Sequence, residues 1–390
     1  MRVAIAGGGS GGLTLALCLR QHGHDVDLIE QASSFGEVGA GVQLSPNGAR
    51  VLVALGLAGS LARIGTVPER TVVRRWADDR ELMVSGLGHA PVERYGHGYY
   101  NVYRPDLIEM LAAALDGVQV HFGVPVTGAR ASEPGPALEL ADGTAVGADV
   151  VVGADGIHSA VRTSRFGPEP ARFSGWLAYR ALVPRHAVPH LPLELTVRLG
   201  PDRHLVSYFV GRDQRYYNLV CVVPEAAWDV ESWMEPGSAD DLRAQFERWA
   251  PGVAALLDHV VEPVYKWALH DREPLETWSD GLVTLLGDAC HPMLPFMAQG
   301  ACQAIEDAAV LARCLDEWRS DLHEALQRYE ALRRPRTAKI QAQAWQYCSV
   351  FHLPDGEQQQ ARDRQMAASS GQSHSLAGQD WLYGYDALAV

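Results

Sequence analysis

The sequence is poor in the features that would point to a metal, a disulfide scaffold, a membrane or a nucleic acid. It has six cysteines in 390 residues (Cys18, Cys221, Cys290, Cys302, Cys314, Cys348). None are in CxxC spacing and no His-rich tract accompanies them, so no metal site is expected and the thiols are expected to be reduced. No apolar run approaches the ~20 residues that span a bilayer. The chain enters an apolar strand at Arg2–Ala6, so no signal peptide is expected and the location expected is cytoplasmic. Positive charge is scarce: 33 Lys and Arg against 47 Asp and Glu give a net charge of −14. That balance argues against nucleic acid or an anionic membrane as partner. The basic cluster Arg333-Arg334-Pro335-Arg336 is expected on a solvated helix face. No internal repeat is apparent. What the chain does have is apolar residues, 47% of the total, enough for a large core organised as more than one small domain.

The most informative segment is Leu282–Gly300, LVTLLGDACHPMLPFMAQG. A buried-type strand halts at Gly287-Asp288, a Pro-interrupted bend follows, and a small-residue helix starts near Gly300. An acidic residue at a strand's carboxyl end before a helix N-terminus is the layout of a ligand site in an α/β sheet. At the other end of the chain, Val3–Ala6 reads as a strand, followed by GGGSGG and an amphipathic run from Leu13 to Arg20. Gly7, Gly9 and Gly12 fit GxGxxG between a strand and a helix, and a second strand ends at Glu30. This pattern suits an ADP-containing cofactor, with the glycines at its pyrophosphate and the carboxylate at its ribose. The motif alone does not separate NAD from FAD.

Three further segments bear on that choice. Gly39–Asn47 (GAGVQLSPN) would suit backbone contact with a flat ligand, or be an ordinary surface loop. Val150–Arg162 (VVVGADGIHSAVR) reads as a buried strand ending at Asp155-Gly156, where Asp155 could cap the next helix or touch a ligand. The third is Gly287-Asp288 and the helix behind it.

Together these segments resemble the FAD-dependent aromatic hydroxylases, the single-component flavoprotein monooxygenases. GADG…R with GDACHPMLPFMAQGACQAIEDA carries the resemblance, which extends over nearly the whole chain. The chain looks most like the salicylate, 3-hydroxybenzoate and 6-hydroxynicotinate hydroxylase group. The resemblance implies FAD as cofactor, NADH or NADPH as electron donor, O2 and a small electron-rich aromatic as substrates, and a flavin C4a-hydroperoxide as oxygen donor. It implies Gly7, Gly9, Ser10, Gly11 and Gly12 at the pyrophosphate, and Glu30 with Gln31 at the adenosine ribose. Val126 would lie beside the adenine, and Arg104 at the phosphate or ribityl region. Asp155 belongs to the family's dual FAD and nicotinamide segment, and Gly287-Asp288 would meet the ribityl chain. Val42, Pro295, Gly300 and Ala301 would be near the flavin, with the helix N-terminus facing its pyrimidine edge, where reduction places negative charge. His291 would either add positive charge there or pack with a satisfied hydrogen bond.

From Trp176 to Val223 the pattern alternates, as in an antiparallel sheet with two different faces. Periodicity puts His204, Val206 and Tyr208 on one face, with His204 and Tyr208 about 13 Å apart at Cα. The pair could flank one ring, or belong to an ordinary aromatic sheet face. The resemblance points to Tyr208 for orienting or deprotonating a phenol and to His204 as proton relay or carboxylate partner. Tyr217 is the reserve, and Gln43 and Phe296 are expected beside substrate. The resemblance departs from its pattern at the Pro295-Phe296 bend and in the early loop, which offers only Gln43. Both suggest a more apolar pocket and put a carboxylate on the substrate in question.

Leu322–Phe351 reads as a long helix with Ala325, Tyr329, Leu332 and Ile340 on its buried face. Polar residues 356–379 read as a mobile linker, and Trp381–Tyr385 as a segment that docks back. The expected fold is α/β: a Rossmann-like FAD-binding domain from residues 1–170 and 265–350, an inserted antiparallel β-sheet substrate domain at 171–264, and a tail at 351–390 after the long C-terminal helix. Two other functions fit the cofactor reading. One is a non-catalytic FAD or nucleotide sensor. The other is a flavin-dependent halogenase, which would need a Trp-x-Trp segment that none of the ten tryptophans form. Oligomeric state is left open.

Overall fold

A computed structural model describes residues 1–35, 39–131, 135–228, 235–368, 370 and 374–390. At its centre, the strand Arg2–Ala6 pairs in parallel with Asp25–Glu30 on one side and Val150–Gly153 on the other. Gln119–Phe122 and Val283–Leu285 extend these flanks in parallel, and the short strand Ser279–Asp280 closes one edge antiparallel. Val3, Ile5, Leu28, Val151 and Val283 are fully buried, as expected of parallel strands covered on both faces. The helices Ser10–Gln21 and Gly300–Glu317 pack together over the sheet.

Parallel pairing makes the five parallel strands end at the same edge. Gly7 N–H donates to Ile29, Ala154 N–H to Ala6 and Leu286 N–H to Gly153. The Gly7–Gly12 loop, Glu30, Asp155 and Asp288, scattered over some 280 positions of sequence, thus follow four neighbouring strands. Ligands of open α/β sheets bind at this carboxyl edge.

The second sheet has eight strands: Glu235–Gly237, Val261–Asp271, Arg172–Pro184, Tyr216–Pro224, Arg203–Val210, Glu194–Gly200, Arg70–Arg75 and Glu81–Gly86, in that spatial order. It draws on strands outside the 171–264 segment expected to form the substrate domain. Arg70–Arg75 joins it through parallel pairing to Glu194–Gly200, a long-range contact that leaves no local trace in sequence. One face, with Tyr179, Leu205, Phe209, Tyr217 and Cys221, packs on the helices Ala239–Gln245 and Pro251–Leu257. The other face, with His204, Val206, Tyr208, Val220 and Val222, turns towards the parallel sheet.

The helix Leu322–Phe351 buries Ala325, Tyr329 and Ile340 fully, with Leu332 partly covered. The same stripe buries Arg333, Thr337, Gln341 and Cys348. The basic cluster is therefore a solvated face only in part: Arg334 stays exposed, whereas Arg333 and Arg336 turn inward. Arg333 is 0% exposed and donates to Asp307 (2.6 Å) and Glu306, and Arg336 reaches Glu306 at 2.8 Å. Two buried carboxylates on one helix need these cations, which a charge pattern read from one segment does not disclose. Nor are residues 356–379 an unstructured linker throughout. Glu357–Ala368 is a helix that buries Gln359, Arg362 and Asp363 and packs on Glu81–Gly86. The segment Trp381–Tyr385 docks: Arg336 donates to the carbonyls of Trp381 and Leu382, and Arg50 to that of Tyr385.

Candidate active site

The glycine loop separates three jobs by geometry. Gly7 has φ +99°, and a Cβ there would lie 2.4 Å from the Ala154 carbonyl oxygen. A Cβ at Gly12 would sit 2.0 Å from the Gly7 oxygen, whereas one at Gly9 meets nothing within 4 Å. First and third glycines are thus fixed by protein packing, and the second faces open space where a pyrophosphate can approach. Gly9 is also the N-cap of Ser10–Gln21 and brings no capping side chain. The first-turn N–H groups, Ser10 and Gly11 among them, are left to an external acceptor. Glu30 accepts from Gly8 N–H at 2.7 Å and Ala32 N–H at 2.8 Å, which fixes its carboxylate beside the loop. Gln31 is exposed just beyond. Val126 begins a strand of a separate three-stranded sheet and is half-buried. Asp155 accepts from Ser159 Oγ at 2.5 Å and from Val161 N–H at 3.2 Å, in the first turn of the helix Ala160–Phe166, whose N-cap is Ser159.

A cavity of about 440 Å³ lies between the two sheets. The parallel-sheet side contributes Asp288, Pro295, Phe296, Gly300 and Ala301, and the early loop contributes Val42 and Gln43. Gly41–Leu44 is a strand paired with Tyr100–Tyr103 rather than a surface loop. It presses so close that a Cβ on Gly41 would be 2.7 Å from the Tyr208 ring, and Gly41 N–H donates to Asn218 at 2.8 Å. Ala298, in the bend, holds φ +52°, an uncommon conformation for a residue with a Cβ. Gly300–Glu317 then begins at the cavity wall with no side-chain cap. Burial raises the Asp288 carboxyl above its ordinary range, opposed by His291 and by Arg104, the first residue of the helix Arg104–Ala113.

His291 lies behind this wall. Its Nε2 meets Asp307 at 2.5 Å, and Gly287 N–H donates to the same carboxylate oxygen at 3.1 Å. Asn47 donates to Glu306 (2.6 Å) and Gln299 (3.0 Å), and Gln299 donates to Ser45 (2.9 Å). Burial pushes Asp307 up, but the facing His291 and Arg333 outweigh it and hold the carboxyl at about 2. Sequence reasoning missed this network, which ties both ends of the bend to two helices. Cys290, His291 and Asp307 cluster tightly, but both Asp307 oxygens are already engaged by Arg333, His291 and Gly287.

On the antiparallel-sheet side, His204 and Tyr208 both line the cavity. Tyr217 does not: it belongs to the opposite face, donating to or accepting from Ser207 at 3.0 Å and packing on Phe209 at 4.7 Å. Register decides this, since Tyr217 pairs with Phe209 while Asn218 pairs with Tyr208. Tyr99 donates to the Gln43 amide oxygen at 2.7 Å, and the Gln43 side chain hydrogen-bonds Tyr208. Burial pushes the Tyr208 hydroxyl up to about 12, so Tyr208 is a neutral donor at ordinary pH.

Sequence reasoning also missed Arg180. It lines the cavity, pairs with Val220, and through it stands abreast of Val206, between His204 and Tyr208. Two strand spacings put its Cα about 10 Å from that of Val206 and about 12 Å from those of His204 and Tyr208. The three side chains form a triangle over a floor of Val206 and Val220. The guanidinium lies over the Trp267 ring at 4.6 Å, and among the described residues Arg180 forms no ion pair. Its Nε has no hydrogen-bond partner there either. Burial pulls its pKa below the ordinary arginine value.

A family model described as an FAD binding domain matches residues 1–344. The chain belongs to the FAD-dependent aromatic monooxygenases. It is 42% identical to a 3-amino-4-hydroxybenzoate 2-monooxygenase of Streptomyces platensis, over all of this chain and 97% of the relative. It is 41% identical to a 6-hydroxynicotinate 3-monooxygenase of Pseudomonas fluorescens, over 87% of this chain and 89% of that one. Among solved structures, Klebsiella pneumoniae HpxO complexed with FAD and uric acid superposes with a TM-score of 0.85. It shares 28% identity, over 98% of this chain and 96% of that one. The enzyme is thus a flavoprotein oxidoreductase with a Rossmann-type FAD domain and an antiparallel sheet. None of its described helices is long and apolar enough to cross a membrane.

Proposed function

We propose that the enzyme hydroxylates a small aromatic acid bearing a ring hydroxyl, with NADH or NADPH as electron donor. Arg180 is the observation that carries this reading. A cation withdrawn from water without an ion pair costs several kcal/mol of solvation unless an anion meets it. The triangle of Arg180, His204 and Tyr208 has the size of one substituted ring. A substrate carboxylate, which the apolar Pro295-Phe296 bend put in question, is favoured by Arg180, and the relatives' substrates 3-amino-4-hydroxybenzoate and 6-hydroxynicotinate both carry one.

The roles follow from the protonation states. Tyr208, neutral and with its oxygen engaged by Gln43, donates a hydrogen bond to the ring's polar substituents. His204, whose ring burial holds neutral, is the group available to accept the phenol proton, which raises the ring's nucleophilicity. Phe296 and Gln43 border the ring. For the cofactor, Gly7, Gly9, Ser10, Gly11 and Gly12 hold the diphosphate and Glu30 and Gln31 the adenosine ribose, with Val126 beside the adenine. Arg104, Asp155, Gly287 and Asp288 hold the middle of FAD, Asp288 through the ribityl hydroxyls. Val42, Pro295, Gly300 and Ala301 face the ring system, and the helix N-terminus stabilises negative charge at its pyrimidine edge. FAD, when bound and reduced, supplies activated oxygen from O2. The chain holds the ring against it and excludes water with Val206, Val220, Met293 and Phe296.

The test is an NAD(P)H-oxidation screen of the purified flavoprotein with hydroxylated aromatic acids and with the same rings lacking the carboxylate. Products are read by mass spectrometry and NMR. Coupled hydroxylation of the acids is expected, aminohydroxybenzoates included. No substrate-stimulated oxidation would instead favour an FAD-binding sensor, and halogenated product would favour a halogenase.

A further inference from the structure

The helix Leu322–Phe351 ends against the cavity wall, and its C-cap residue His352 is 6% exposed. The His352 ring stacks on Trp176 (3.7 Å, 18°) and meets Phe296 edge-on at 5.3 Å. Its Nε2 lies 2.7 Å from Nδ1 of His204, a residue 148 positions away. Its other nitrogen, Nδ1, faces the Cys348 sulfur, with Sγ at 3.6 Å. Burial holds both rings neutral at ordinary pH, His204 well below its usual value and His352 down to about 3. The other groups facing the pair do not change this. The Cys348 thiol is pushed up to about 12 by burial, and Arg362, paired with Asp363 at 2.9 Å, adds only positive charge.

We propose that His352 is a positioning residue that fixes His204 in its Nδ1–H tautomer, leaving Nε2 of His204 as a bare acceptor for the substrate hydroxyl. A neutral imidazole has one donor and one acceptor nitrogen. One proton is shared across the 2.7 Å contact, and donation by Nδ1 of His204 is the arrangement that leaves His204 a bare nitrogen for the phenol; His352 then carries its own proton on Nδ1, beside Cys348. Nε2 of His352 is then bare and takes the N–H of His204 Nδ1. The second nitrogen of His204 is bare in turn, on a ring that lines the cavity. As the phenol is attacked, its O–H proton passes to Nε2 of His204, and the Nδ1 proton of His204 can pass to Nε2 of His352. One proton leaves the phenol, one arrives on the pair, and no electron moves in this exchange. The proposal rests on the reading of His204 as the phenol's partner.

The test uses FAD-loaded enzyme carrying ¹⁵N-labelled histidine. The ring ¹⁵N shifts of His204 should show Nδ1 protonated and Nε2 bare, and a protonated Nε2 would overturn the proposal. Kinetically, His352→Phe removes the acceptor and His352→Gln restores one through its amide oxygen. His352→Phe should slow hydroxylation at least about tenfold, with FAD content and flavin reduction within about twofold. His352→Gln should recover most of that loss. Equal loss in both variants, with FAD lost too, would make His352 merely structural and overturn the proposal. His204→Asn separates the two levels. If it spares hydroxylation, the reading of His204 fails and the proposal with it. If it impairs hydroxylation while His352→Phe does not, the tautomer proposal alone fails.

Discussion

Replacing Arg180 by Met keeps an apolar stem and deletes the charge, together with the guanidinium's contact over the Trp267 ring. A bidentate guanidinium–carboxylate contact contains two charge-assisted hydrogen bonds, each worth about 1.5–3 kcal/mol. The lower end of that range sums to about 3 kcal/mol, roughly a hundredfold in Kd. The substrate-free protein should respond in the opposite direction. Burial disfavours the charged form of Arg180 in the folded state, so removing it relieves a cost. The melting temperature of the substrate-free flavoprotein should stay level or rise. The assay pairs a thermal melt with titration of flavin absorbance by an aromatic acid and by the same phenol without its carboxylate. Affinity for the acid should fall about a hundredfold while affinity for the phenol holds. A melting temperature several degrees lower, or equal losses for both ligands, would refute the reasoning.

Four further outcomes are expected. Asp288→Ala should weaken FAD binding about tenfold or more, as loss of one charge-assisted acceptor implies; flavin-to-protein absorbance ratios and fluorescence titration check it, and wild-type affinity would remove Asp288 from the site. Tyr208→Phe should slow hydroxylation at least about tenfold while flavin reduction, measured anaerobically by stopped flow, changes little; equal loss of both steps would make Tyr208 structural. Asp307, held at about 2, should contribute stability that is full above the unfolded carboxylate value of ~3.9 and is lost as pH falls towards 2. Arg333→Met leaves Glu306 and Asp307 under-compensated and should cost about 3–5 kcal/mol in denaturant unfolding at neutral pH. An unchanged midpoint would refute the role assigned to that network.

Backbone-driven features left local marks in sequence. Gly7, Gly9 and Gly12, the strand ends at Glu30 and Asp288, and the bend before Gly300 could each be read within about twenty residues, because turn geometry and helix starts are local. Alternation likewise placed His204 and Tyr208 on one face. What the sequence hid depends on partners far along the chain. Arg180 looks like any strand arginine until the described residues around it prove to form no ion pair with it. Arg333 looks solvated until Glu306 and Asp307 arrive beneath it. Tyr217 needed the register against Arg203–Val210 to show which way it faces. His352 lies beyond a thirty-residue helix, and only that helix's length brings it to His204. The tail deceived for a different reason. Its composition is polar, but Gln359, Arg362 and Asp363 bond with one another in burial, so few apolar residues are needed to dock it.

The claim on which the rest depends is that one ring lies between Arg180, His204 and Tyr208, facing the flavin across the cavity. A crystal structure of the FAD-loaded enzyme with its best-coupled aromatic acid tests it directly. The carboxylate should lie on Arg180, the ring over Val206 and Val220, and the ring's polar substituents within hydrogen-bond distance of Tyr208 and His204. A carboxylate turned away from Arg180, or a ring seated off this sheet face, would contradict it.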